Sequence, residues 1–177
     1  MGYALVRSTD GGRIWQAQSD PCSRTGPGLG TVDFASPSLG FVMCESEPAT
    51  DMQTKVLLAT TNAGSTWSKR AASCPGAVSC VGYLPKMSFL PDGRGWLWLD
   101  RYGMAATTTG GRSWGQIAGK VVSDDINDVL SASLVSDTIG FVLIDHSEDC
   151  PVNACGPELL YTTNAGETWT ALAHWKT

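Results

Sequence analysis

One eight-residue frame occurs four times and limits what this chain can become. Its copies are Ser8-Thr9-Asp10-Gly11-Gly12-Arg13-Ile14-Trp15, Thr60-Thr61-Asn62-Ala63-Gly64-Ser65-Thr66-Trp67, Thr107-Thr108-Thr109-Gly110-Gly111-Arg112-Ser113-Trp114 and Thr162-Thr163-Asn164-Ala165-Gly166-Glu167-Thr168-Trp169. The shared pattern is Ser/Thr, any residue, Asp/Asn/Thr, Gly/Ala, Gly, two variable residues, Trp. The copies begin at 8, 60, 107 and 162, at intervals of 52, 47 and 55 residues. A period near 50 marks a repeat architecture, in which one supersecondary unit buries its apolar faces against its neighbours. Each copy lies between strand-like runs. Tyr3-Ala4-Leu5-Val6, Lys55 to Ala59, Gly103 to Ala106 and Glu158 to Tyr161 precede it, and runs opened by Trp15, Trp67, Trp114 and Trp169 follow. Strand, glycine-bearing turn and strand make a hairpin.

A second pattern recurs three times. Val32-Asp33-Phe34-Ala35 precedes Gly40-Phe41-Val42, Met87-Ser88-Phe89-Leu90 precedes Gly95-Trp96-Leu97, and Ala132-Ser133-Leu134-Val135 precedes Gly140-Phe141-Val142. In each, the apolar residue at 34, 89 or 134 stands six before the glycine, with turn formers between. With this hairpin labelled A–B and the one around the box C–D, the chain reads C-D, then A-B-C-D three times. Four antiparallel strands per unit of this length are the blade of a β-propeller. The fold expected is all-β, a partial propeller of about three and a half blades in a single domain: half blade 1–20, then blades 30–72, 86–118 and 129–173. The best helical candidate, Ser123 to Leu130, has too few apolar residues at helical spacing.

The box makes sense as a turn. Asp10, Asn62 and Asn164 can accept hydrogen bonds from backbone N–H groups just ahead. Gly12, Gly64, Gly111 and Gly166 suit a backbone with positive φ. Ser8, Thr60, Thr107 and Thr162 can bond across the turn, and each Trp can bury a large surface while its indole N–H finds a carbonyl. Thr109 replaces the acid or amide in the third copy, which is expected to be the loosest.

The frame resembles the Asp-box, or bacterial neuraminidase repeat, Ser/Thr-x-Asp-x-Gly-x-x-Trp, and the likeness covers nearly the whole chain. The family includes sialidases, sortilin-type receptors, xyloglucanase-type glycosidases and photosystem II assembly factors. The resemblance implies that the box is a structural turn outside any active site.

Alternating strand direction puts the C–D and A–B turns at one end of each unit and the D–A and B–C connections at the other. The cysteines fall at that second end: Cys22, Cys74 and Cys80 in D–A connections, Cys44 at the end of a strand B, and Cys150 and Cys155 in the last B–C loop. Six cysteines with two tight pairs, Cys74/Cys80 and Cys150/Cys155, favour disulfides and an extracytoplasmic location. Cys22 and Cys44 would then be left to each other, although fifteen connectivities are open. Zinc is the rival reading, but CxxC pairs are absent and the histidines are only His146 and His174. No cofactor motif is present. Asp124-Asp125-Ile126-Asn127-Asp128 lacks the glycine of a calcium loop. The net charge of −5 argues against nucleic acid. No apolar run approaches a membrane span, and nothing at Met1 reads as a signal peptide.

Long B–C insertions, Ser46 to Gln53 and Ser147 to Pro157, add to the loop-bearing end, where binding usually resides. Glu45, Asp100 and Asp145 each stand five after the strand-B glycine and are the candidate acids for glycoside hydrolysis. The plainer reading makes them solvated acids at strand ends. Trp96 and Trp98 alternate on one face, as core or as a sugar platform. Arg94, Arg101 and Arg112 cluster in one blade, but the sialidase Arg-Ile-Pro motif is absent, since Arg13-Ile14 runs into Trp15. The function expected is a non-catalytic binding or scaffold propeller that takes a protein or glycan through its stapled loops. The alternative is a fragment of a glycoside hydrolase, sialidase-like or xyloglucanase-like, and a third reading is an assembly factor for a membrane complex. The first box lacks strands A and B, so the remaining blades are expected from a longer chain or a second copy.

Overall fold

The computed structural model describes residues 5–25, 28–47, 49, 53–70, 85–99, 103–117, 128–145 and 156–175. Among them lie fourteen strands: β1 Val6–Arg7, β2 Gln16–Ala17, β3 Gly28–Phe34, β4 Gly40–Glu45, β5 Lys55–Thr60, β6 Ser68–Lys69, β7 Lys86–Phe89, β8 Gly95–Leu99, β9 Gly103–Thr107, β10 Gly115–Gln116, β11 Asp128–Leu134, β12 Gly140–Asp145, β13 Pro157–Thr162 and β14 Thr170–His174. The hairpin β1–β2 is followed by three four-stranded antiparallel meanders, β3 to β6, β7 to β10 and β11 to β14. This is the expected order of half a blade and three full ones. No helix in the described residues is long and apolar enough to cross a membrane.

The six-residue spacing in the sequence has a direct structural cause. Phe34 pairs with Gly40, Phe89 with Gly95 and Leu134 with Gly140, so each spacing closes an A–B hairpin. The glycine is needed because a ring lies over it. A Cβ on Gly40 would meet the Phe34 ring at 2.6 Å, one on Gly95 the Phe89 ring, and one on Gly140 the Trp96 ring of the preceding sheet.

Period-2 alternation then sorts the side chains between two faces. Phe41, Met43, Leu57 and Ala59 of the first full sheet pack on Met87, Phe89, Leu97, Leu99 and Ala105 of the second. Trp96, Trp98 and Met104 on the second sheet's other face pack on Val129, Leu134, Val142, Ile144 and Leu160 of the third. Trp96 and Trp98 are therefore core at 2% and 3% exposure, not a sugar platform. Side chains on the inner strands stitch the sheets together. Phe89 N–H donates to the Asp33 carboxylate at 2.6 Å, and Leu134 N–H to Ser88 Oγ, the equivalent position, at 3.0 Å.

Candidate functional site

The four boxes are self-contained turns. Gly12, Gly64, Gly111 and Gly166 N–H each donate to the leading hydroxyl, at 2.8, 2.9, 3.0 and 3.0 Å. Asp10 Oδ1 accepts from Arg13 and Ile14 N–H, both at 3.0 Å, and the Ile14 bond leads in holding this exposed carboxyl below its ordinary pKa. Asn62 and Asn164 accept from Thr66 and Thr168 N–H at 2.9 Å. Thr109 Oγ1 accepts from Ser113 N–H at the same 2.9 Å, but its contact with the leading Thr107 hydroxyl is 3.3 Å, against 2.7, 2.9 and 2.8 Å for the equivalent pairs in the other boxes. Two successive residues have positive φ in every box: Gly11-Gly12, Ala63-Gly64, Gly110-Gly111 and Ala165-Gly166. The indole N–H of Trp15 and Trp114 donates to the carbonyl of its own box glycine, at 2.9 and 3.2 Å.

Each full sheet docks its box on its own A–B turn, through Ala63 N–H to Ser38 O, Gly110 N–H to Gly93 O and Ala165 N–H to Thr138 O. Box and A–B turn thus share one end. Arg94 is held there by Asp137 at 2.7 Å and Asp92 at 3.5 Å, while exposed Arg112 reaches its own box through Thr109 O. Arg101 lies outside the described residues. Of the three arginines proposed to cluster, the two described are held at the turn end.

The opposite end carries a built polar cluster. Glu45, the last residue of β4, pairs in register with Lys55, the first of β5. Lys55 is fully buried, and its Nζ donates to Gln53 O at 3.0 Å. Gln53 is also buried, and its Nε2 donates to Glu45 Oε2 at 3.3 Å and to Ser46 O at 3.0 Å. The Glu45 side chain lies over Gly30, at the bulge between Leu29 and Thr31, where a Cβ would collide with it. Burial raises the Glu45 carboxyl to about 7, against the pull of Lys55, Gln53 and the Thr31 N–H. Burial likewise lowers Lys55, partly offset by Glu45. Beside this cluster Cys44 forms a disulfide with Cys22, Cα atoms 5.5 Å apart, tying the segment after β2 to β4. Both cysteines are buried, with Val42, Val56 and Leu58.

Asp145 ends β12 as Glu45 ends β4, opposite Asp128 and Pro157. The second full sheet stands between these two candidates, and Asp100 lies outside the described residues, as do Cys74, Cys80, Cys150 and Cys155. A pair of carboxylates about 5–9.5 Å apart is what glycoside hydrolysis needs. In the described residues Glu45 instead faces an ammonium and an amide. Among those residues no group of three His, Cys, Asp or Glu could hold a metal. Sequence reasoning missed Lys55 and Gln53. The signal was present, because closing the β4–β5 hairpin puts the acid ending one strand across from the lysine opening the next.

No protein-family model and no curated protein matches the sequence. Solved structures do, and they place the fold among β-propellers. A protein of unknown function from Dyadobacter fermentans DSM 18053 shares 15% identity at a TM-score of 0.66, over 98% of this chain and 52% of its own. An ancestral GH74 enzyme shares 14% at 0.59, over 96% and 23%. YCF48 bound to a D1 peptide shares 19% at 0.54, over 83% and 40%. The chain therefore spans from about a quarter to about half of these propellers.

Proposed function

We propose that the chain is part of a non-catalytic binding or scaffold propeller of the Asp-box kind, one domain over 1–177, that takes a protein or glycan at its loop-bearing end. The division is half blade 1–20 and blades 30–72, 86–118 and 129–173. The carrying observation is the difference between the two ends. The leading hydroxyl and the Asp, Asn or Thr oxygen of each box bond N–H groups of their own turn, whereas the loop end presents a disulfide-anchored segment with Glu45 in a polar cluster. A peptide in complex with the structurally similar YCF48 supports a protein ligand. A disulfide suits an extracytoplasmic compartment.

The test is a screen of peptide and glycan arrays, followed by charge reversal at each end. Glu47 is exposed beyond β4 and Glu167 in the fourth box. Glu47→Arg is expected to weaken the captured ligand about tenfold and Glu167→Arg to leave it unchanged. Equal effects, or loss only with Glu167→Arg, contradict the reading.

The GH74 neighbour and the Glu45 carboxyl near 7 favour a second reading, a fragment of a glycoside hydrolase. Turnover of a fluorogenic sialoside or glucoside that Glu45→Gln, Asp100→Asn or Asp145→Asn abolishes would establish it.

A further inference from the structure

One position carries opposite chemistry at the two junctions between full sheets. Three residues after the box Trp, the chain leaving strand D bonds back to strand C. Arg70 N–H donates to Leu57 O at 2.8 Å in the first full sheet, and Ile117 N–H to Met104 O at 3.0 Å in the second. The box of the following sheet lies against that place. A Cβ on Gly166 would meet Ile117 Cγ2 at 2.7 Å, and one on Gly111 would strike Leu57 Cδ2. Ile117 is accordingly buried. Arg70 is half-buried in the same place, and its Nε is covered yet has no acceptor. The residue after the box glycine differs as well. Beside Ile117 it is Glu167, and beside Arg70 it is a second arginine, exposed Arg112. Burial first, and then the Arg112 charge, lowers the Arg70 pKa. A guanidinium nevertheless keeps its proton, so two cations stand side by side.

Among the described residues neither guanidinium meets a carboxylate, and the arginine ion pairs both belong to Arg94. The stretch that follows Arg70, Ala71 to Leu84, holds no Asp or Glu. Arg112 Nη1 donates to Thr109 O at 3.5 Å, which steadies its fork beside Arg70. We propose that Arg70 and Arg112 form a binding site for a tetrahedral oxyanion, a phosphate or sulfate group, on the outer edge of the junction between the first two full sheets. Two planar forks offer such a group paired N–H donors, and its double negative charge balances both cations. The covered Arg70 Nε then gains the acceptor it lacks. The chain's net charge of −5 gives no general attraction for anions, so capture depends on this pair. Described sheets flank the site on both sides, and it does not rest on a ligand at the loop end.

The probes are inorganic sulfate and inorganic phosphate, titrated into the full chain with chloride holding the ionic strength constant. Heteronuclear NMR follows the arginine Nε–H signals. The Arg70 signal is expected to shift and saturate with either ion. Arg112→Gln should weaken binding about tenfold. Arg70→Lys keeps the charge but loses the fork, and should also weaken it, read at the Arg112 signal. Arg13→Gln, at the same position of the first box, should leave it unchanged. Circular dichroism confirms that the variants are folded. A phosphorylated and a sulfated monosaccharide then separate the sources. Tighter binding of one ester than of its free ion assigns the site to that group on a sugar, and no gain with either assigns it to the ion itself. A shift that does not saturate, an equal shift with chloride alone, or undiminished binding to Arg112→Gln or Arg70→Lys overturns the proposal.

Discussion

The junction between two full sheets and the junction between the β1–β2 hairpin and the first full sheet use the same parts with opposite results. Trp114 and Trp15 occupy the same box position, and both boxes close with the same hydrogen bonds, Gly111 N–H to Thr107 Oγ1 at 3.0 Å and Gly12 N–H to Ser8 Oγ at 2.8 Å. Even so, Trp114 is 8% exposed and Trp15 59%. The box therefore shapes a turn and presents a Trp, but it does not bury that Trp. Trp114 is buried because it packs in one cluster with Phe41, Met43 and Leu57 of the preceding sheet. Among the described residues no sheet packs on the far face of the hairpin, and Trp15 lines an open cleft.

Truncating rings is the largest way to break the comparison. Phe89→Ala and Trp96→Ala should each cost about 3–5 kcal/mol of unfolding free energy, the cost of losing a buried aromatic. Phe34→Ala and Trp15→Ala should cost about 1 kcal/mol or less, because their rings remain half in water. Urea denaturation of the four variants checks this, and similar losses at both junctions would erase the distinction.

The disulfide is next. Cys22 and Cys44 are 22 residues apart, and closing a loop of that size stabilises by about 3 kcal/mol. A Cys22→Ala/Cys44→Ala double variant should lose about that much and free the hairpin from β4 before the rest unfolds. A single cooperative transition with unchanged midpoint would show that the bridge does not hold the open junction.

The pH dependence sharpens the comparison at the loop end. Glu45 titrates near 7 in the folded chain against an ordinary 4.5. The folded state therefore binds the proton more tightly, so stability gains as pH falls from about 7 to about 4.5 and is lost as pH rises through 7. Burial raises Asp33 as well, in the same direction. Thermal melts across that window should show the gain, and Glu45→Gln should flatten most of it. An unchanged slope in the variant would place the effect elsewhere.

The smallest effect lies in the boxes. Ala165 has φ 59° and Ala63 φ 57°. Replacing either by glycine relieves left-handed strain but frees the unfolded chain, so the net change should stay within about 0.5 kcal/mol. Gly111→Ala should cost more, because its Cβ would strike Leu57 Cδ2. A larger loss from Ala63→Gly than from Gly111→Ala would contradict this view of the turns.

Strand order was legible because it rests on local pairs. Phe34 with Gly40 and Thr60 with Gly64 are fixed by turns a few residues long, so their spacing is written in the chain. Residue type foretold only part of the third turn: Thr109 Oγ1 reaches Ser113 N–H at 2.9 Å as an amide does, while its contact with the leading hydroxyl lengthens to 3.3 Å. Left-handed Ala63 and Ala165 were invisible, since alanine carries no mark of a backbone that glycine would ordinarily occupy. The bulges at Leu29/Thr31 and Val129/Ser131 depend on pairing across a sheet and leave no trace in composition. At the loop end, Glu45 was singled out by its spacing. Its buried partners were not, because a lysine opening a strand reads as a solvated end until register places it opposite an acid.

The central claim is that the hairpin junction is an open copy of the two closed ones. Hydrogen exchange followed by mass spectrometry tests it most directly. Amides of β1 and β2 should exchange at least about a hundredfold faster than those of β4, β5 and β8, through a local opening that leaves the full sheets intact. Equal protection of β1 and β8 would contradict the account.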